Sequence, residues 1–185
     1  INLAVDKDTI VKTVLHGYGT IAESPIPASS QLVETGIVPI SRDIAKAKSL
    51  LEKNGYKLGE DGIYAKQVTK KETRRLSFEI ATNDTPELKQ AAEMIRDQLA
   101  EAGIEAVPKV YETGSLNQDI IRPRKFQALF FGEVVSSQSD LYAFWHSSQR
   151  TDPGLNISGY ANSRVDTVLA QGLASRDMDK SQAGY

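Results

Sequence analysis

Few side chains here are of types that carry out chemistry, and their spacing narrows what chemistry is open. The chain has two histidines and no cysteine. A thiolate nucleophile and a soft thiolate ligand are therefore absent, and no His-x-x-x-His pair is present to hold zinc from one helix face. His146 follows Trp145 and stands downstream of Glu133 and Asp140. These three form an acid/base set only if the loop between them folds back on itself. Each also has a structural reading. His146 sits where a helix end needs packing or capping, and Asp140 can N-cap the helix expected from about Leu141 to His146. His16 is expected in the last turn of the first helix, where a cation complements the dipole. Ser136-Ser137 and Ser147-Ser148 lack the Gly-x-Ser-x-Gly elbow that projects a nucleophile, so they read as polar loop residues. Gly17-Tyr18-Gly19 lacks a phosphate-cradling spacing, and Gly-x-x-x-x-Gly-Lys-Ser/Thr occurs nowhere.

Two further clusters are chemically suggestive. Leu141, Phe144, Trp145 and Ser148 recur at i, i+3, i+4 and i+7, a stripe that reads as core with one edge of Trp145 free to line a cleft. Lys66, Lys70, Lys71, Arg74 and Arg75 face a single Glu72 in one polar run. No aromatic is interleaved to stack bases, so the run reads as a solvated hairpin.

The elements that position these residues must come from a globular chain. Its 185 residues are 40% apolar and 25% charged, about 1.2 domain lengths and enough to bury roughly 70% of the unfolded surface. Lys and Arg number 22 against 24 Asp and Glu, a net charge of −2, so no overall positive field gathers nucleic acid or anionic lipid. Without cysteine there is no disulfide scaffold, and Ala128-Leu129-Phe130-Phe131 falls far short of the ~20 residues that span a bilayer. The apolar opening Ile1-Asn2-Leu3-Ala4-Val5 and the polar close at Asp177 to Tyr185 lead us to expect a piece cut from a longer chain on both sides. Missing targeting signals then say nothing about location.

Asp6 caps a helix expected over 7–16, with Ile10 and Val14 on its apolar stripe and Gly17 as the stop. Pro25, Pro27 and the serines to Ser30 predict an extended loop. Ser41 is the expected cap of a second helix over 42–53, ended by Asn54-Gly55. Gly59-Glu60-Asp61-Gly62 reads as a turn. Leu76, Phe78 and Ile80 alternate with polar residues, a period-2 strand. Thr85-Pro86-Glu87 supplies a cap, an N1 proline and an acidic first turn, and apolar residues at helical spacing run to Gly103. Ile104 to Tyr111 is the next strand. Strand, amphipathic helix and strand make a βαβ unit, hence parallel pairing and a right-handed crossover. A short helix is expected near 115–121, and the apolar run Phe126 to Phe131 reads as a strand buried on both faces, followed by a polar loop from Val134 to Ser139. Asn156 to Tyr160 reads as an irregular strand or turn. Asn162 or Ser163 then caps a last helix with Val165, Val168, Leu169 and Leu173 inward. The fold class is α/β, a mixed, partly parallel sheet flanked by helices.

Several stretches, taken in order, resemble the C-terminal lobe of the extracytoplasmic solute-binding proteins of ABC importers, in the large peptide/nickel family. They are Ile1 to Lys7 with His16-Gly17-Tyr18-Gly19, Ser24-Pro25-Ile26-Pro27, Asp43 to Tyr56, Asp61-Gly62-Ile63, Thr82 with Pro86 to Ile104, and Asn156 to Asp166. The resemblance covers nearly the whole chain. It implies that residues 1–185 form one ligand-binding lobe of a two-lobed clamp of the class II periplasmic-binding-protein type. A small peptide or another small solute (an oligosaccharide, an opine-like compound or a metal chelate) is held against a missing N-terminal lobe of the same chain. The cargo then passes to an ABC importer permease. No reaction, cofactor, metal or nucleic acid is implied, and a monomer is expected, periplasmic or lipid-anchored outside the cytoplasmic membrane. In peptide-binding members an acidic residue, usually Asp, near the end of the buried strand meets the ligand's α-ammonium. Glu133 stands near that place here, and Asp140 offers a second acid. Trp145, His146 and Tyr160 complete the expected ligand-binding set. Two other classes stay open, an α/β enzyme domain using Glu133, Asp140 and His146, and a protein-interaction module marked by a contiguous exposed apolar patch.

Overall fold

The computed structural model of this chain describes residues 1–22, 24, 38–134 and 138–182, with backbone alone at 138–140 and 175–182. The predicted extended loop through Pro25, Pro27 and Ser30 lies outside these residues. The chain divides into two compact units, Ile1–Leu116 with Phe126–Phe131, and Asn117–Lys125 with Gly132–Tyr185.

The first unit begins with α1 (Lys7–Val14), whose N-cap Asp6 accepts from the Thr9 amide at 3.0 Å and the Thr9 hydroxyl at 2.8 Å. The helix stops earlier than the expected residue 16. His16 takes a φ of 51° and Gly17 one of 82°, so His16 lies in the left-handed turn beyond the helix and not in its last turn. The cap of α2 (Ile44–Lys53) is Asp43 and not Ser41. The Asp43 carboxylate accepts from Lys46 N–H at 2.8 Å, and the Asp43 amide donates to Leu3 O at 2.8 Å. A carboxylate is a strong acceptor for an orphan helical amide, and here the cap is also tied to the N-terminal segment. Asn54 and Gly55 end α2 as expected, Gly55 at φ 83°.

The polar stretch forms a small antiparallel sheet of β1 (Lys57–Leu58), β2 (Tyr64–Gln67) and β3 (Thr73–Arg75), in that order. The β2–β3 hairpin pairs Ala65 with Arg75, Lys66 with Arg74 and Gln67 with Thr73. A second sheet holds β4 (Ser77–Asn83), β5 (Glu105–Tyr111) and β6 (Ala128–Leu129) in the order β5-β4-β6. Between β4 and β5 runs α3 (Pro86–Glu101), and the two strands pair in parallel from Ser77↔Glu105 to Asn83↔Tyr111. The βαβ unit read from the sequence is there. Thr85 precedes Pro86 but makes no side-chain cap bond; the ring at N1 removes one orphan donor by itself. Gly103 is required at the α3–β5 joint. Its φ is 74°, and a Cβ would lie 2.7 Å from the Tyr64 ring.

The strand β4 is central, and Ile80, Ala81, Thr82 and Asn83 are all buried, so the alternation seen at its start gives way to burial on both faces. The opposite correction applies to Phe126–Phe131. Only Ala128 and Leu129 form a strand, paired with Ile80 and Ala81, and the apolar side chains of the run are half-buried. The reason is position: β6 pairs with one neighbour and is an edge among the described residues. The core joins Ile80, Leu99, Ile104 and Ala106 to Ala4, Ala47 and Ala102, with Phe78, Ile95 and Phe130 packed around it. Four of these seven residues are alanine, small enough to let the packed backbones approach closely. Gln98 is buried because its Oε1 accepts from the Asp6 amide at 2.8 Å, joining α3 to the start of α1.

After β5 come a short α4 (Thr113–Ser115) and a π-helical turn, Leu116–Ile121, where a single helix is expected near 115–121. The second unit holds α5 (Gln138–Trp145), a 3-10 turn (Ser147–Gln149) and α6 (Ser163–Gln182). Helix α5 begins at Gln138, so Asp140 lies inside its first turn and not at its cap. Leu141 to Trp145 are all half-buried, and the predicted one-sided stripe is not drawn. Asn162 caps α6, its Oδ1 accepting from Arg164 N at 3.0 Å and Val165 N at 3.3 Å. Val165, Leu169 and Leu173 are half-buried, but Val168 is 65% exposed; the inward stripe is narrower than predicted.

Candidate functional site

All five residues expected to bind ligand, Glu133, Asp140, Trp145, His146 and Tyr160, belong to the second unit. The local structure there is organised by Asn156, which is fully buried. Its Nδ2 donates to His146 O at 3.1 Å and Tyr160 O at 2.9 Å, while its Oδ1 accepts from the Ser158 hydroxyl at 2.9 Å. The Asn-x-Ser spacing builds a side-chain-closed turn, because a short amide and a hydroxyl two residues on satisfy each other locally. Gly159, at φ 69°, allows the chain to reverse. The turn carries Tyr160 to Trp145, and the two rings meet edge to face with centroids 6.1 Å apart at 80°.

His146 stacks on Tyr142 one turn earlier in α5, with centroids 4.3 Å apart at 22°. Its Nδ1 accepts from Ser148 N at 3.1 Å and lies 2.8 Å from Ser148 Oγ. The network therefore assigns the neutral ring's proton to Nε2, and His146 caps the 3-10 turn. Capping was one of its two sequence readings. Asp166 of α6 accepts from Ser147 N at 2.9 Å and Ser147 Oγ at 2.7 Å. These bonds, with His146 and Arg150 adding attraction, hold its carboxyl below the ordinary carboxylate range. Arg124, itself at φ 58°, donates to Ile121 O at 2.6 Å, Gly154 O at 2.6 Å and Arg150 O at 3.2 Å. The floor of the unit is thus pinned by one guanidinium.

Glu133 differs from every other acid with a displaced titration. Its surface is exposed, yet partial burial pushes its carboxyl up and no cation offsets that burial among the described residues. A carboxylate that loses water without gaining a partner is one that an incoming ammonium would stabilise. Trp145 with Tyr160, and His146 with Tyr142, are brought together; no hydrogen bond or ring contact among the described residues joins Glu133 to either pair. The acid/base set of Glu133, Asp140 and His146 finds no support. Nδ1 of His146 is engaged with Ser148, and among the described residues no hydrogen bond joins its ring to Glu133. Tyr142 and Arg124 escape the sequence reading, and Ser147 reads there only as a polar loop residue. The i, i+4 spacing of Tyr142 and His146 was the available signal for the stacked pair.

A family model described as bacterial extracellular solute-binding proteins, family 5, middle section, matches residues 1–154. The chain belongs to this family. The oligopeptide-binding protein AppA of Bacillus subtilis is 29% identical over 187 residues, covering 98% of this chain and 33% of AppA. Its structure in complex with a nonapeptide superposes with a TM-score of 0.80 over 92% of this chain and 34% of that one. Protein XP55 of Streptomyces lividans is 30% identical over 189 residues, covering all of this chain and 33% of its own length. The structure of NikZ from Campylobacter jejuni with Ni(L-His) superposes with a TM-score of 0.77 at 26% identity, over 92% and 34% of the two chains. The family 5 chain described here therefore spans about a third of the proteins it matches, and its fold is that of class II periplasmic binding proteins. Members of the family are solute-binding transport components that work outside the cytoplasm. Among the described residues no helix is long and apolar enough to cross a membrane.

Proposed function

We propose that this chain is one lobe of a two-lobed solute-binding protein that captures a peptide, or a related small solute, and delivers it to the permease of an ABC importer. The observation that carries the reading is membership of the solute-binding family over residues 1–154; Glu133, a carboxyl partly desolvated and without a counter-charge among the described residues, supports the site. Glu133 follows β6 in the sequence, and solutes of open α/β sheets bind outside the carboxyl ends of parallel strands. In this reading Glu133 receives the α-ammonium of the solute and Asp140 adds a second negative charge nearby. Trp145 and Tyr160, already in edge contact, present apolar surface to side chains of the cargo, and His146 offers the Nε2 proton. The missing N-terminal lobe of the same polypeptide closes over the solute; closure is favoured because contacts form in the shut arrangement only. No covalent step is involved, so the protein is not an enzyme. The work is done in the periplasm or on a lipid anchor outside the cytoplasmic membrane, by a monomer.

A charge-assisted hydrogen bond contributes roughly 1.5 to 3 kcal/mol. Calorimetry on the full-length protein with a library of short peptides tests the assignment. Glu133→Gln is expected to weaken free-amine peptides by at least about tenfold, and N-acetylated peptides are expected to bind weakly to both proteins. Equal affinity of the two proteins for free-amine peptides overturns the role given to Glu133. If the clamp binds near micromolar and this lobe makes about half the contacts, the 185 residues alone bind at about millimolar or weaker.

A further inference from the structure

Outside the solute site, the feature with the strongest charge is the β2–β3 hairpin. We propose that its tip docks on the anionic phosphate headgroups of a phospholipid bilayer, through Lys66, Lys70, Lys71 and Arg74 with Val68 between them. The inference does not depend on which solute the protein carries.

The charge is concentrated beyond what the whole chain suggests. Residues 66–75 hold five Lys and Arg and one Glu, a net of +4; because the chain totals −2, everything else carries −6. Within these 185 residues such a division favours an anionic surface at the hairpin over one elsewhere. The structure then separates spent charges from available ones. Arg75 sits on the face of Ala65 and is paired with Asp61 and with Glu105, the latter at 3.1 Å. Arg74 meets Glu72 alone among the described acids, at 3.2 Å with both side chains well exposed. The Lys66 ammonium lies 5.6 Å over the Tyr56 ring, which leaves its charge intact. Lys70 and Lys71 are exposed and have no ion pair among the described residues.

Two details favour a surface of phosphates over a solvated loop. Lys66 and Arg74 are directly opposite across the strands, an arrangement of like charges that weakens a hairpin; folding alone would favour opposite signs there. Val68, at the start of the turn, is 45% exposed, and its amide is bonded to Glu72 O at 2.9 Å. That puts a branched apolar side chain among the cations, the composition of segments that settle at a headgroup boundary. Exposed residues 67–75 include no aromatic ring to stack bases. Lysine predominates at the tip, a point charge on a flexible stem that suits mobile headgroups.

Each cation near an anionic leaflet contributes about fivefold in partitioning, fading within a Debye length. Full-length protein, produced without lipid modification and free of solute, is sedimented with vesicles of phosphatidylcholine alone or with 30% phosphatidylglycerol, at low and high salt. We expect partitioning onto anionic vesicles that falls with salt, and a loss of at least tenfold on Lys70→Glu with Lys71→Glu. Val68→Ser is expected to lower it severalfold at high salt, where the ionic part is screened. Lys12→Glu with Lys89→Glu, the same charge change elsewhere, is expected to retain most of it. Circular dichroism verifies that each variant is folded. Equal partitioning onto neutral and anionic vesicles, equal loss in both double variants, or capture by soluble polyglutamate with none on vesicles overturns the proposal. Peptide binding by calorimetry is read separately, so failure here leaves the solute reading standing.

Discussion

Asn156→Ala is the sharpest test of how the second unit is held together. The wild-type amide makes three hydrogen bonds from a fully buried position. Truncation removes all three, but the consequences differ by partner. His146 O keeps the Gln149 amide at 3.0 Å, and the Ser158 hydroxyl can rotate to another acceptor. Tyr160 O loses a donor at 2.9 Å with no replacement described. Three bonds at roughly 0.5 to 1.5 kcal/mol each, with one carbonyl left short, give a loss of about 2 to 4 kcal/mol, a large share of a typical domain's stability. The single tryptophan, Trp145, lies in this unit, so urea unfolding followed by its fluorescence reads the right transition. Asn156→Asp extends the test. An ionised carboxylate turns an oxygen toward both carbonyls that Nδ2 served, so destabilisation at neutral pH should equal or exceed that of Ala. Protonation restores one donor. The Asp variant thus has a raised folded titration, and its stability should recover as pH falls through it. A loss under about 0.5 kcal/mol for Asn156→Ala, or an Asp variant insensitive to pH, refutes the reasoning.

Gly103→Ala forces a Cβ to within 2.7 Å of the Tyr64 ring at a φ of 74°, so the first unit should lose about 1 to 3 kcal/mol in chemical denaturation, and an unchanged midpoint would contradict the packing. Asp166 titrates low because it accepts two bonds from Ser147. Its stabilisation is therefore complete above the ordinary carboxylate range and is lost as pH falls through the depressed value. Asp166→Asn should flatten the acid limb of Trp145 fluorescence; superimposable limbs argue against it. For Glu133 the sign reverses: a raised carboxyl means ionisation at neutral pH opposes folding. Glu133→Gln should leave neutral stability equal or slightly higher while affinity falls, and a clear loss of stability would show that the carboxylate serves the fold.

Much of the fold was legible because it rests on local rules. The βαβ unit followed from a period-2 run, Pro86 at N1 and Gly103 past the helix end, features that neighbours in sequence impose on each other. The Asp6 cap, the Asn54-Gly55 stop and the Asn162 cap are local too. The misread positions share a cause. Ser41 against Asp43, the depth of β6 and the exposure of Val168 depend on which distant segment arrives beside them, and a cap residue whose amide is tied to Leu3 O or a strand left at an edge has no signature in its own stretch. The site divides the same way. The type and place of Glu133, Trp145 and Tyr160 were visible as single residues. The role of Asn156 as the buried hub, the Ser147–Asp166 bonds and the ring pairs exist only after α5, the turn at 156–160 and α6 have met. Residue type and spacing determined the elements and the candidate chemistry; tertiary structure alone decided which polar groups lost their water, since desolvation is a property of the surroundings and not of the chain's order.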